Sequence, residues 1–100
     1  MDWRSNMKRP TKKAFYEYMS ERFDRKFTSK DEDLYLDLLD VIQEASNDDS
    51  RMLELAELTI MSAADRLIYR NMMAVAGVEM TPAQVGEHLA TIEYGLEYIT

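Results

Sequence analysis

An all-α fold, a compact bundle of about four helices, is what this 100-residue chain predicts. Three observations carry the expectation. Punctuation is sparse: three glycines and two prolines cannot supply the turns of a many-stranded sheet. Apolar residues recur at steps of three and four along most of the chain. Helix-start signatures stand before the apolar runs: Thr11 after Pro10, then Ser29-Lys30-Asp31-Glu32, then Thr81-Pro82-Ala83-Gln84.

The first helix is expected over about 11–25, with Thr11 as N-cap. Phe15, Tyr16, Met19 and Phe23 share one face, with Glu17, Glu21 and Asp24 on the other. The second is expected over about 30–45, capped by Ser29 with Glu32 reaching back. Acids at 31–33 suit the positive end of its dipole. Leu34, Leu38, Val41, Ile42 and Ala45 form its apolar face. Residues 47–50 form a loop in which Asp48, Asp49 or Ser50 can cap the next helix.

The third helix is expected to be long and central, over about 51–76. Leu53, Ala56, Ile60, Ala63, Ala64, Leu67 and Ile68 make a wide stripe. Leu55, Leu58, Met61, Met72, Met73 and Val75 extend it, and a helix apolar on several sides is normally touched on several sides. Gly77 is a natural stop. The fourth has Thr81 at N-cap, Pro82 at N1 and Gln84 at N3, with Met80 and Val85 placed as a hydrophobic staple. Val85, Leu89, Ile92, Leu96 and Ile99 give a narrow seam made to lie on another helix. Gly86 and Gly95 inside it each cost roughly 1 kcal/mol of helix propensity, and Gly86 with Ala90 makes a small-residue patch suited to close helix contact.

Residues 1–10 read as a basic flexible arm and 11–100 as a single helical domain. Trp3 is the exception in that arm, since a lone Trp tends to find a pocket. The chain has no cysteine, which excludes a disulfide framework, a thiolate zinc site and a thiol nucleophile. No run of about 18 apolar residues exists, and the polar, basic first ten residues lead into no apolar segment of a signal peptide; a cytoplasmic location is the expectation.

The inventory for catalysis is poor. The glycines are isolated, so no phosphate-cradling loop forms. His88 is the sole imidazole and has no Glu-x-x-His partner, so it reads as a surface or boundary residue. Asp31, Asp33, Tyr35 and Asp37 begin like a calcium loop, but Leu36 and Ile42 stand where Gly and Glu are required. Glu54 and Glu57 are ordinary solvated neighbours on one helix. A non-catalytic protein without metal or cofactor is the expectation.

Three surfaces are suited to binding. Asp33, Asp37, Asp40 and Glu44 form a straight acidic row on the second helix, with no base interleaved and Leu36 beside it as a candidate apolar anchor. Such a row can dock on a basic partner and imitate a line of phosphates. Tyr94 and Tyr98 share a side of the last helix away from its seam; with Met72 and Met73 they are candidates for a homodimer interface. Arg4, Lys8, Arg9, Lys12 and Lys13 form a basic cluster. Residues 1–30 hold nine bases and four acids, whereas 31–100 hold three bases and 15 acids. The acidic body repels nucleic acid, so the expected partner is a basic protein, including one from a nucleic-acid-binding complex, rather than nucleic acid itself.

Ser62-Ala63-Ala64-Asp65-Arg66-Leu67 resembles the Ser-Ala-Ala-Asp segment of the Hha/YmoA group, small helical modulators that bind the nucleoid protein H-NS. The likeness covers about a tenth of the chain, and the spacing from Thr11-Lys12 to it is longer than in that group. It implies attention to Asp65. In type, a small acidic helical chain without cysteine is also similar to phage inhibitor proteins, anti-CRISPR proteins among them. The leading expectation is an inhibitor of phage or mobile-element type that blocks a basic, nucleic-acid-handling protein. The alternatives are a homo-oligomeric assembly or chaperone-like protein, and an Hha-like modulator.

Overall fold

The computed structural model describes residues 9–100, and within them every regular element is helical. Thr11 caps α1 (Lys12–Phe23) by accepting from the Ala14 N–H at 3.1 Å. The helix ends on Asp24 in the left-handed conformation, φ 50°, one of the few non-glycine residues that tolerates it. The expected arm at 1–10 falls outside the described residues apart from Arg9 and Pro10, as does Trp3. Pro10 is buried, and its carbonyl accepts a 2.6 Å hydrogen bond from the Tyr35 hydroxyl.

The second start signature works one residue earlier than its sequence suggests. Thr28, not Ser29, is the cap: its hydroxyl accepts from Lys30, and Asp31 accepts from the Thr28 N–H at 2.9 Å. This closes a 3-10 turn, Ser29–Asp31, that leads into α2 (Glu32–Asn47). Only extended Asp48 separates α2 from α3 (Asp49–Thr59), and its carboxylate accepts from the Ser50 and Arg51 N–H groups.

The long third helix does not form. It is two helices, α3 and α4 (Ala63–Val75), so the described chain has five helices rather than four. The break has local causes. The Thr59 hydroxyl donates back to the Ala56 carbonyl at 2.7 Å, Thr59 and Ile60 are both β-branched, and Ser62 becomes an extended N-cap that accepts from the Asp65 N–H. Gly77, at φ 91°, then closes α4 as expected: the Gly77 N–H reaches the Ala74 carbonyl and the Val78 N–H reaches Met73. The last helix, α5 (Pro82–Ile99), has the full reciprocal cap of Thr81 and Gln84 and Pro82 in its first turn.

The central pair is α2 and α5. One cluster joins Phe15 and Met19 of α1 and Phe27 of the following loop to Tyr35, Leu38 and Ile42 of α2 and Ala90 of α5. The other joins Val41 and Ala45 to Leu55 of α3 and Val85, Leu89 and Ile92 of α5. Met80, the expected staple partner of Val85, packs on this second cluster, to which Val85 belongs. The expected stripe of 53–68 is not core: Leu53 is 63% exposed and Ile60 82%. Leu55, on the other side of α3, is the buried residue. Across the bundle, the Arg25 guanidinium donates to both Glu87 oxygens, at 2.8 and 3.1 Å, and to Asp31 at 3.0 Å while lying 3.6 Å from the Phe27 ring centre. That clamp gives Glu87, buried on α5, its partner.

Candidate functional site

The buried residues Leu38, Val41, Ile42 and Ala45 orient α2, and that orientation carries the acidic row outward. Asp33, Asp37, Asp40 and Glu44 are all exposed, and Leu36 beside them is 48% exposed. The row is not uniform. Arg51 at the start of α3 donates to Glu44 at 3.0 Å and to Glu54 at 3.2 Å, so the last member of the row is ion-paired within the chain. The neighbouring acids Asp31, Glu32, Glu87 and Glu93 are likewise held by Arg25, Lys12, Arg25 and Arg22. Among the described residues, Asp33, Asp37 and Asp40 have no ion-pair partner.

Asp33 and Asp37 stand on the rim of a groove of about 370 Å³ between α2 and the start of α5, lined also by Arg25, Glu79, Gln84 and His88. Partial burial at that rim raises the Asp37 carboxyl above its ordinary pKa; His88 opposes the shift, and Asp40 and Asp33 add to it.

His88 is half-buried. The Tyr69 ring of α4 stacks over it, with centroids 6.3 Å apart and planes 12° from parallel, and the Tyr69 hydroxyl lies 3.4 Å from Nε2. Burial lowers the His88 pKa below 6.5, and Asp37 opposes this. A histidine that binds protons less well folded than unfolded contributes stability that is present above pH 6.5 and lost as pH falls below it toward the folded value. Asp37 acts with the opposite sign, in the more acidic window above 3.8. The melting temperature should therefore fall on acidification through pH 6.5, and His88→Gln should flatten that slope. An equal slope in His88→Gln would assign it to other groups.

The four candidate oligomer residues do not form one surface. Tyr94 is half-buried against α1 within the monomer, its ring 5.5 Å from Phe15 and 4.9 Å from Tyr18. Tyr98, 36% exposed, lies one turn further along α5. Met72 and Met73 are on α4, which packs beside the opposite, N-terminal half of α5 through Tyr69 on His88 and Arg70 on the Met80 carbonyl. Met73 is half-buried and Met72 is 66% exposed.

The surface that periodicity does not locate is the outer side of α4. This helix is strongly amphipathic, yet none of its residues is buried. Tyr69, Arg70 and Met73 turn inward, and Leu67, Ile68, Met72 and Val75 turn to solvent. The signal is present as a stripe at 60–68, which periodicity alone assigns to the core.

Among the described residues, no group of three His, Asp or Glu side chains is placed to hold a metal ion, and no helix is long and apolar enough to cross a membrane. The short Ser62–Leu67 likeness coincides with a helix start, where Ser-x-x-Asp serves as a cap. The chain matches no protein-family model, no curated protein and no solved structure.

Proposed function

We propose that this chain is a non-catalytic binding protein that acts by occupying a basic surface of a partner protein. Asp33, Asp37 and Asp40 form the docking strip, with Leu36 as its apolar anchor. One observation carries the reading: among the described residues these three carboxylates have no ion-pair partner, although the acids around them, Asp31, Glu32, Glu44 and Glu87, are paired. Unpaired charges in a row speed encounter with an opposite charge and fix the register of docking. Their spacing along one helix side suits a partner that itself handles a phosphate row, and the small, acidic, helical type supports an inhibitor of phage or mobile-element kind.

The test is the triple charge reversal Asp33→Lys, Asp37→Lys, Asp40→Lys. Capture from a host lysate at low and high salt identifies the partner, and affinity is then measured for both proteins. The reversal should weaken binding by about 100-fold, because like charges juxtaposed at an interface cost several kcal/mol. Helical circular dichroism should be retained, since all three residues are exposed. Unchanged affinity in the triple variant would overturn the reading.

A second reading, a homo-oligomeric assembly protein, is favoured by a different observation, the uncovered apolar side of α4.

A further inference from the structure

The outer side of α4 presents Leu67 and Ile68, each 56% exposed, Met72 at 66% and Val75 at 90%. Ile60 before the helix and Val78 after it are exposed as well, at 82% and 44%. A 13-residue helix is marginal on its own in water, and most helical stability comes from burying an apolar face. Here the helix is held from within by a tyrosine on a histidine and an arginine on a carbonyl, while its apolar face is exposed among the described residues.

Charge indicates what covers it. Residues 60–78 carry one acid and two bases, Asp65, Arg66 and Arg70. The rest of 31–100 carries 14 acids and a single base, Arg51. A basic partner gains nothing electrostatic at α4 and is drawn to the acidic parts of the body. Two copies of this acidic chain, by contrast, meet here with the least repulsion. The area agrees: the four side chains on the outer side of α4 expose on the order of 400 Å² of apolar surface. A standard interface takes roughly 800 Å² from each partner, about 60% of it apolar. Midway along the strip lies one exposed polar residue, Asn71. A twofold axis passing there brings each Asn71 amide against its own copy, where donor and acceptor are mutually complementary; a lone Asn in an apolar helix seam is a known device for fixing register.

We propose that the protein is a homodimer in which α4 packs on α4 of a second copy about a twofold axis near Asn71, burying Leu67, Ile68, Met72 and Val75. The inference is independent of the acidic-row reading, since it uses another helix and another kind of surface. The dimer presents two acidic rows, so a partner with two basic sites within their reach is bound with an effective-concentration advantage.

Sedimentation equilibrium of the full chain tests this. Wild type at about 100 μM should show twice the 11.7 kDa chain mass, since interfaces of this size hold at micromolar affinity or tighter. Ile68→Glu with Met72→Glu should sediment as a monomer with unchanged helical circular dichroism. If that variant fails to fold, Asn71→Cys decides. The chain has no other cysteine, so mild oxidation should give a cross-linked dimer in native buffer and none in denaturant. A wild type that is monomeric at that concentration overturns the proposal and leaves the α4 face to a different protein. A dimer that survives the double substitution, or one in which Asn71→Cys does not cross-link, overturns it as well.

Discussion

Phe15→Ala should lower the free energy of unfolding by about 4 kcal/mol, the upper part of the range for a buried phenylalanine. Phe15 is wholly inaccessible, and its ring meets Tyr16 at 5.8 Å, Tyr94 at 5.5 Å and Tyr35 at 6.3 Å. These rings belong to three helices, so no single side-chain shift fills the space that truncation leaves. Only Phe15 and Met19 of α1 are fully buried, and both belong to the cluster that joins that helix to α2 and α5. A domain of this size has roughly 5–15 kcal/mol of stability, so the loss is a large fraction of the whole. Urea unfolding should show a lowered midpoint, and Tyr94 should become more accessible as α1 loosens. A loss under about 1 kcal/mol would mean that α1 does not dock through Phe15.

Gly95→Val should cost about 3 kcal/mol, while Gly86→Ala should stabilise the protein by up to about 1 kcal/mol. Both glycines lie inside α5, where replacement by alanine recovers helix propensity. Their surroundings give the two positions opposite signs. A Cβ on Gly95 would lie 3.0 Å from Val41 Cγ1, 3.2 Å from Leu38 Cδ1 and 3.5 Å from Ile42 Cγ1, the buried face of α2. Valine adds two methyl groups to that crossing, and overpacking of this kind forces the helices apart. A Cβ on Gly86 would meet Phe23 Cε1 at 3.7 Å, ordinary contact. The expected order of melting temperatures is therefore Gly86→Ala, wild type, Gly95→Val. Stability of Gly95→Val equal to wild type would show that α2 and α5 are not pressed together there.

This pair also marks where the sequence stops being informative. Residue spacing points to Gly86 with Ala90 for the small-residue contact, yet the close approach is at Gly95. Nothing in the spacing of three glycines states which one faces another helix. The acidic row shows the same boundary. Its place on one side of α2 follows from the repeat of Asp33, Asp37, Asp40 and Glu44. That Glu44 is ion-paired and the other three are not depends on where Asp48 turns the chain and delivers Arg51. Arg25 and Glu87, 62 residues apart, leave no trace in any local pattern.

What this sequence determines by itself is what its backbone can settle within a few residues. The caps at Thr11 and Thr81 and the stop at Gly77 each rest on side-chain or backbone groups at most five positions apart, so they are legible without the fold. The class, all-α, follows from the same short-range rules. The Ser62-x-x-Asp65 start belongs to that set too, but the apolar stripe running across it conceals the break. Tertiary structure alone decided the rest. It made α2 and α5 the centre, took Tyr94 under α1 and left the apolar side of α4 in solvent. Periodicity reports that a helix has an apolar face; only the directions in which the chain leaves each turn decide what that face meets.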